Sequence, residues 1–588
     1  MINFALVENK TYLINNNNPY NPNVMKKNNQ LSRLFMLLAI FMASIFSAAA
    51  YDFMVDGICY SIIGDNEVEV AKPDVKYAGE IMLPATVNQD GITYQVTRIG
   101  NNAFSGCNEL TLIGIPEGVT SIGTYAFSGC SNLENVDFPN SLVSIEKYAF
   151  NMCSAFTSVH IPRNVAEIAY DAFSFCHYVK SYSCSSLNTH YRAVDGVLFS
   201  KDMTMLMSYP QAATATSYAV PNTVTALQFH AFRDCDNLVN ITIPESVTWL
   251  GAAVFARSDN LVSLELPDGI THMGTGVFSA CTSLSSLHLP ASLDSILNGT
   301  FSNCHSLSEL TIPRNVSYID KYSFYESRGI KHIIFEDDSR LEQIGELAFG
   351  YSDSLETINL PNSLTKMGHS AFYKCPSLKN VHISENLNII GVSTFNYCTS
   401  LVELEIPSNI TLVLNSAVAN CSSLKRLKIG DKDATGSTII DNCGIFDNLQ
   451  LERLELGANV DSLYESAIVG LENLKVFICW AQTPPRLNAY QSFDPAARQI
   501  NAPLYVRRAS LDAYRTTPQW KDFKTIVAIE DVGDVDGDNL ISVSDVTALI
   551  DILMGGETDR NVYADLNLDG EITIADVTAL IDMLLTSY

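Results

Sequence analysis

The residues best suited to chemistry lie near the C-terminus, where oxygen-bearing side chains recur at fixed intervals. Two segments, 534–545 and 565–576, carry them at positions 1, 3, 5, 9 and 12. The expected ligands are Asp534, Asp536, Asp538, Ser542 and Asp545, then Asp565, Asn567, Asp569, Thr573 and Asp576, with the backbone carbonyls of Leu540 and Glu571 at position 7. Position 9 acts directly or through a water. Six to eight oxygen ligands suit Ca²⁺, so the sequence predicts two calcium ions.

Each segment also predicts its own turn and a following helix. Position 6 needs a left-handed backbone, which Gly570 adopts without strain and Asn539 adopts more readily than most residues. Apolar residues then recur at i, i+3, i+4 and i+7, the spacing of one helix face. They are Val546, Leu549, Ile550 and Leu553 after the first segment and Val577, Leu580, Ile581 and Leu584 after the second.

The negative charge of the chain is concentrated around these segments. The 588 residues have a net charge of −28, and residues 531–588 alone hold 13 acidic residues and one basic residue. So acidic a chain repels phosphate groups, and we expect no nucleic-acid partner. Because 47% of the residues are apolar, the chain can bury a core and is not wholly disordered.

A repeat of 23 residues fills most of the chain before the acidic segments. Prolines recur at this interval or its double within each run of repeats, as Pro116, Pro139, Pro162, Pro221, Pro244, Pro267, Pro290, Pro313, Pro361 and Pro407. Phenylalanines keep nearly the same interval, as Phe104, Phe127, Phe150, Phe173, Phe232, Phe255, Phe278, Phe301, Phe324, Phe349, Phe372 and Phe395. This regularity indicates a solenoid in which each repeat forms one coil.

One repeat shows how a coil is expected to fold. The stretch Leu133-x-x-Val136-x-Phe138-Pro139 alternates apolar residues and ends in proline, which predicts a short strand because proline cannot donate to a β-ladder. A second apolar pair and an Ala-Phe pair follow on the return half of the coil. Since one coil cannot bury these residues alone, we expect stacked coils that pair into one long parallel sheet and align their phenylalanines.

The repeats resemble the BspA-like leucine-rich repeats of bacterial surface proteins from about Tyr51 to Glu530. The resemblance implies a leucine-rich-repeat solenoid, with a parallel β-sheet and irregular or short helical return segments. The pattern is broken where Ser384 and Gly430 replace the proline and Val418 replaces the phenylalanine.

These features divide the chain into segments. Residues 99–478 hold the repeats, interrupted by an insertion at 178–220 in which Asp195-Gly196 predicts a β-hairpin. Asp-Gly pairs at 56–57 and 90–91 give the same signal within 51–98, interpreted as an N-terminal β cap. Residues 479–530 are interpreted as the C-terminal cap, and 531–588 as a separate module.

The first fifty residues have the character of processing segments. Residues 25–50 join a basic start to the apolar run 34–46 and end in small residues at Ala50, as secretory signal peptides do. The apolar run is too short for a hydrocarbon core of about 30 Å. We expect cleavage near Ala50, no later membrane span, and a secreted or cell-surface location in a bacterium. Residues 1–24 are interpreted as a non-native extension upstream of Met25.

The two acidic segments share the sequence Asp-Val-Thr-Ala-Leu-Ile-Asp and together resemble a type I dockerin. The resemblance implies a small all-α calcium-binding module that docks onto a cohesin-type domain of another protein. In that family, loop positions 10 and 11 are often small hydroxylated recognition residues. Here they are Val543-Ser544 and Ile574-Ala575, so the sequence does not identify the cohesin.

Ten of the 14 cysteines follow the recurring phenylalanine position by three residues. They are Cys107, Cys130, Cys153, Cys176, Cys235, Cys281, Cys304, Cys375, Cys398 and Cys421. Serine takes the same place at Ser258, Ser327 and Ser352, which favours a ladder of small buried residues. Disulfides, which export would permit, and metal binding are the alternatives.

The sequence holds no recognisable catalytic motif and one candidate recognition surface. It lacks a nucleophile elbow, a zinc-protease helix, a P-loop and a dinucleotide fingerprint, so we do not expect an enzyme. Trp249, Trp480 and Trp520 offer no evident sugar-stacking platform. The candidate surface is the outward face of the predicted strands, which varies between coils. It comprises Asp137, His160, Thr242, Glu265, His288, Thr311, Asn359, His382, Glu405, Lys428 and Glu455.

These inferences combine into an exported, non-catalytic scaffold for recognition or adhesion. The solenoid would bind a host or bacterial protein or a glycan through its strand face. The dockerin-like module would tether the chain to a cohesin-type partner. The alternative is an accessory subunit of an extracellular polysaccharide-degrading, cellulosome-like complex, because dockerins are best known there.

Overall fold

The computed structural model describes residues 51–441, 450–464, 473–487, 501–555 and 561–586. The predicted signal peptide and upstream extension lie outside these residues, as does part of the predicted C-terminal cap. Within the described ranges, no helix has both the length and the apolar character needed to cross a membrane.

Short parallel strands line one side of the solenoid, here called the strand side. From Leu110 onward they come from the apolar stretch that precedes the proline position in each coil. They are Gly79–Met82, Leu110–Gly114, Ser158–Ile161, Ser181–Cys184, Ser217–Ala219, Asn240–Thr242, Ser263–Glu265, Ser286–His288, Glu309–Ile312, His332–Phe335, Thr357–Asn359, Asn380–His382, Glu403–Ile406, Arg426–Ile429, Arg453–Leu456, Val476–Cys479, Leu504–Val506 and Ile526–Ala528. Their inner side chains are buried and alternate with exposed ones, as the sequence predicts.

A second set of strands forms the opposite, return side. They are Ser121–Ile122, Ser144–Ile145, Glu167–Ile168, Met205–Ser208, Ala226–Leu227, Trp249–Leu250, His272–Met273, Ser295–Ile296, Tyr318–Ile319, Gln343–Ile344, Lys366–Met367, Ile389–Ile390, Leu412–Val413, Thr438–Ile440, Val460–Leu463 and Arg486–Leu487. The expectation of one long sheet is therefore too simple: ladders run along both sides, each in several sections. Both halves of a coil carry backbone N–H and C=O groups that need hydrogen-bond partners, and the neighbouring coils provide these partners.

Antiparallel hairpins occur at the start of the solenoid and within the insertion. Phe53–Val55, Ile58–Gly64 and Glu67–Val70 form a meander, and Thr86–Gln89 pairs with Ile92–Ile99. In the insertion, Tyr191–Val194 pairs with Val197–Ser200. Asp195 and Gly196 both have positive φ, which confirms the predicted turn.

The phenylalanines form a row of stacked rings, as the period predicts. Neighbouring rings from Phe104 to Phe173 and from Phe232 to Phe395 lie 4.9–5.7 Å apart between centroids. Stacking at this distance adds to the free energy gained from burying the rings. At the insertion, Tyr209 takes the place of a phenylalanine and lies 5.4 Å from Phe232.

The described cysteines are free, and most of those in the repeat form a ladder of hydrogen bonds to the preceding coil. The thiol of Cys281, for example, lies 3.0 Å from the carbonyl oxygen of Phe255 in the preceding coil. The Ser258 hydroxyl makes the equivalent bond to the Phe232 carbonyl at 2.7 Å. Burial raises the pKa of Cys281, which keeps the thiol protonated as a donor. Serine can therefore replace cysteine at this position, because both side chains are small hydrogen-bond donors.

Helices in the described residues are confined to the C-terminal region. Short 3₁₀ turns span Arg508–Ser510, Trp520–Asp522 and Ile529–Asp531, and helix α1 spans Leu511–Thr516. Trp520, in the segment interpreted as the C-terminal cap, is fully buried with its ring 5.2 Å from that of Tyr514. Helix α2 spans Val543–Gly555 and helix α3 spans Ile574–Thr586. Each begins near the end of one acidic segment.

Candidate calcium-binding module and recognition surfaces

Helices α2 and α3 pack together through a small apolar core that fixes the two acidic loops. Leu549 and Leu580 are fully buried between the helices, together with Val535 and Ala564 from the loops. Val546 and Val577 pack against this core, as the helical spacing predicts. Ile550 and Ile581, which share that spacing, are instead about 40% exposed. The core of so small a module is too narrow to cover the full apolar face of each helix.

The first loop gathers three carboxylates at one point. Asp534, Asp536 and Asp538 each place an oxygen within 4.8 Å of the others. Asn539 has a φ of 67°, which confirms the left-handed turn at position 6. Asp534 Oδ1 is buried and accepts no hydrogen bond. Because a buried oxygen without a partner is costly, this atom fits a cation ligand.

The aspartate at position 12 closes each loop onto the start of its helix. Asp545 is fully buried, and its carboxylate accepts backbone N–H bonds from Val535, Asp536 and Ser542 at 2.7–3.0 Å. Asp576 repeats this arrangement in the second loop, at 2.8–3.2 Å. Both carboxylates are therefore held at a fixed position beside the loop.

The second loop is more buried than the first, and this burial changes the pKa of its first carboxylate. Burial, with help from Asp576 and Asp569, raises the pKa of Asp565 to about 6. Its oxygens accept N–H bonds from Gly570 at 2.8 Å and Asp569 at 3.0 Å. A cation beside Asp565 would favour the ionised carboxylate and offset the desolvation. Gly570 has a φ of 88°, as predicted for position 6.

The remaining predicted ligands surround the same loops. Asn567 Nδ2 donates to Asp569 Oδ2 at 3.0 Å, and the backbone N–H groups of Leu540 and Glu571 donate to Asp538 and Asp569. Ser542 Oγ lies 2.8 Å from Ser544 Oγ, and Thr573 Oγ1 lies 3.3 Å from Asp576 Oδ2. Side-chain oxygens of carboxylate, amide and hydroxyl groups thus lie in both loops, and this donor set fits Ca²⁺.

Two matching apolar stripes lie on the outside of the module. Large apolar side chains are exposed at positions 31 residues apart in the two halves: Val543 and Ile574, Ile550 and Ile581, Met554 and Leu585. The exposed fraction reaches 82% at Met554. The spacing i, i+7, i+11 aligns each set along one face of its helix. Exposed apolar surface of this kind is typical of a protein-binding site.

The module packs against the last coils of the solenoid, a contact that the sequence does not reveal. Leu568 and Val532 share a buried cluster with Val476, Ile478 and Tyr505 of the solenoid. This cluster joins the linker and second loop of the module to the strand side.

Polar contacts reinforce this interface. Arg453 Nη1 donates to the backbone carbonyls of Leu568 at 2.6 Å and Asn567 at 3.2 Å. Lys475 Nζ forms an ion pair with Glu571 at 3.0 Å. The second acidic loop is therefore held by the solenoid.

Gly570 permits this close approach. A Cβ at position 570 would lie 2.5 Å from Cβ of Lys475, whereas the equivalent Asn539 of the first loop is exposed. The two loops therefore differ at position 6 because only the second one faces the solenoid.

The strand side carries the exposed polar residues that the sequence singles out. His160, Glu265, His288 and His382, among others, are exposed, while Lys428 and Glu455 at the C-terminal end are half-buried. Open cavities follow this side, with volumes of about 310, 470 and 480 Å³. The last lies between the strand Arg426–Ile429 and the second acidic loop.

Comparison with family models assigns both parts of the chain. The model for BspA type leucine-rich repeat regions matches residues 87–194, 208–331 and 317–445, more than half of the chain. The chain belongs to this family. Residues 532–585 match the Dockerin type I domain. Both are non-catalytic kinds of domain typical of bacterial extracellular or surface proteins, and dockerin domains bind calcium as a class.

Solved structures that resemble this BspA-type chain include several bacterial leucine-rich-repeat proteins. One from Bacteroides ovatus has 22% identity and a TM-score of 0.39, with 81% of this chain and all of that chain covered. One from Eubacterium ventriosum has 23% identity and a TM-score of 0.39, over 63% and 94% of the two chains. Pneumococcal vaccine antigen PcpA has 19% identity and a TM-score of 0.38, over 64% and 98%. No curated protein matches the chain significantly.

The contact between the BspA-type solenoid and the dockerin can be tested at loop position 6. We expect Gly570→Asn to weaken the contact by about 1–3 kcal/mol, because the new side chain overlaps Lys475 while Asn still tolerates the left-handed turn. Hydrogen exchange of residues 561–568 should then become faster. The reciprocal variant Asn539→Gly in the exposed first loop is the control. Equal exchange in both variants would contradict the assigned contact.

Proposed function

We propose that the chain is an exported, non-catalytic scaffold for recognition or adhesion. The solenoid binds a host or bacterial protein or a glycan on its strand side, and the dockerin tethers the chain to a cohesin-type domain. The observation that carries this proposal is the combination of two exposed surfaces on one chain. One is the variable polar strand side, and the other is the pair of apolar stripes on the module.

Calcium holds the module in its docking conformation in this proposal. The first ion is bound by the oxygens of Asp534, Asp536, Asp538 and Asp545, and the second by the equivalent residues of the second loop. Support comes from the converging carboxylates of the first loop and from the buried Asp565 of the second. Without the ions the loop carboxylates would repel one another, so folding of the module depends on the metal.

Calcium stoichiometry tests this arrangement. We expect the full chain to bind two Ca²⁺ ions by titration calorimetry, and Asp576→Ala to bind one, because the buried carboxylate that closes the second loop is lost. EDTA should remove the circular-dichroism signal of helices α2 and α3. The control is Asp582→Ala, an exposed carboxylate on the same helix. Two ions bound to Asp576→Ala would contradict the ligand assignment.

Docking to a cohesin is proposed to use the apolar stripes. A charge placed within a stripe would have to be desolvated in the complex. We expect the double variant Ile550→Glu and Ile581→Glu to lose at least about a hundredfold in affinity for a type I cohesin. Surface plasmon resonance against a panel of recombinant cohesins measures this loss.

The matched control replaces the neighbouring exposed acids, as Asp551→Ala and Asp582→Ala. These changes leave the stripes intact and should preserve binding. A panel in which no cohesin binds the wild-type chain would refute the tether. The same panel addresses the alternative role as an accessory subunit of a cellulosome-like complex. That role is favoured if the cohesins bound come from scaffolds that also carry polysaccharide hydrolases.

Recognition by the strand side can be tested separately. His382 and Glu405 line one of its cavities on neighbouring coils. We expect Glu405→Lys combined with His382→Ala to reduce binding of the full chain to immobilised extracellular-matrix proteins or to an array of glycans at least about tenfold. Lys366→Ala, an exposed change on the return side, is the control. Equal binding by both variants would argue against the strand side as the recognition surface.

A further inference from the structure

The insertion at 178–220 opens a cleft on the return side of the solenoid. The return ladder ends at Glu167–Ile168 and resumes at Met205–Ser208, and these two described strands do not pair with each other. The buried core separates into two clusters at the same place. Tyr191 of the hairpin covers the end of the first ladder: its hydroxyl accepts the Ile168 N–H at 3.1 Å and donates to the Ala166 carbonyl at 3.3 Å.

The cleft has an open part and a narrow recess. The open part measures about 610 Å³ and the recess about 50 Å³. Ile168, Ala169, Met207 and Gln228 line both, so the two spaces adjoin. Since a water molecule occupies about 30 Å³, the recess has room for a hydroxymethyl group, and a sugar ring would have to lie outside the recess.

Three side chains that line the recess have a buried polar atom without a hydrogen-bond partner: His230 at Nδ1, Gln211 at Oε1 and Arg233 at Nε, which lies 3.4 Å from Asp234 Oδ2 in an ion pair. Arg233 Nη1 lies 3.4 Å from His230 Nε2. Because arginine only donates, Nε2 accepts and the proton of the neutral ring sits on Nδ1. Burial, together with Arg233, lowers the pKa of His230 to about 4, so the ring is neutral at pH 7. Since the Arg233 guanidinium is ion-paired with Asp234, the recess offers one free donor, His230 Nδ1–H, and one free acceptor, Gln211 Oε1.

Tyr170 lines the recess and belongs to a group of aromatic side chains. Tyr170 is 43% exposed and lies 4.8 Å from Phe229, which in turn lies 5.4 Å from Trp249. Lys147 Nζ lies 6.0 Å from the Tyr170 ring and lines the open part of the cleft. The sequence alone does not reveal this aromatic group around Trp249. Tyr170 lies before the insertion and Phe229 after it, so the two residues are far apart along the chain.

We propose that this cleft binds a neutral oligosaccharide, with a pyranose ring against Tyr170 and one of its hydroxyl groups in the recess between His230 and Gln211. A pyranose presents an apolar C–H face to an aromatic ring and hydroxyls at its rim. A hydroxyl both accepts and donates, so it can bond Nδ1–H and Oε1 together, and leaving either unpaired is costly. Lys147 Nζ, which lies over the Tyr170 ring and lines the open part, supplies a further donor.

A peptide fits these features less well. Peptides that add to a sheet need free backbone groups at a strand edge, and Tyr191 already occupies those of Ala166 and Ile168. The site is independent of the proposed strand-side recognition, since it lies on the return side.

Titration calorimetry of the full chain with cellohexaose, laminarihexaose and mannohexaose tests the proposal. We expect at least one of the three to bind. Tyr170→Ala should weaken binding at least about tenfold by removing the stacking surface, and Tyr170→Phe should preserve it. Gln211→Leu should weaken binding about fivefold by removing the acceptor in the recess.

Three comparisons separate this site from other effects. Tyr125→Ala removes an exposed tyrosine of the same return side outside the cleft and should leave saccharide binding unchanged. The strand-side variant Glu405→Lys should also leave it unchanged. Thermal midpoints establish that each variant is folded. The proposal is overturned if none of the three saccharides binds at about 5 mM, or if Tyr170→Ala and Gln211→Leu bind as the wild type does.

Discussion

The whole solenoid depends on one constraint: a single coil cannot pair its own backbone hydrogen-bonding groups or bury its own apolar side chains. The N–H of Phe127 donates to the carbonyl of Ala149 in the next coil at 2.7 Å, and the Cys153 thiol donates back to the Phe127 carbonyl at 3.2 Å. The ring of Phe127 likewise has its partners in the coils before and after. Stability in such an array is a sum of contacts between neighbours, so an interruption changes the structure locally while the frame persists.

The interruptions are consequently where this frame acquires distinct sites. At the insertion the ring row passes from Phe173 toward Tyr182, whose centroid lies 6.4 Å away in an edge-on arrangement, before Tyr209 and Phe232 resume the stack. The unmatched coils leave a cleft lined by groups with unmet hydrogen bonds. At the other end, the last strands offer Tyr505 and their neighbours to the dockerin instead of to another coil.

The sequence predicted the features that repeat and missed those that depend on distant neighbours. The intervals of phenylalanine and cysteine were sufficient for the solenoid and its inner ladder, and the carboxylate spacing was sufficient for both acidic loops. The left-handed residues of each coil, such as Tyr125 and Met152, could not be predicted, because their residue types do not favour that conformation. It is imposed by closing the coil and is held by bonds between coils. The contact of Arg453 with Leu568, 115 residues away, leaves no local pattern at all.

The attachment of the dockerin also gives its negative charge a structural role. Residues 531–588 hold 13 acidic residues, and the solenoid meets the second loop with Arg453 and Lys475. The Lys475 ammonium forms ion pairs with both Glu452 and Glu571. Its positive charge therefore neutralises the Glu571 carboxylate only in part. Calcium in the second loop would supply the remaining neutralisation, and the same loop forms the contact with the solenoid. The proposed metal binding and the position of the module would thereby be coupled through one loop, whereas Asn539 of the first loop and both apolar stripes are exposed.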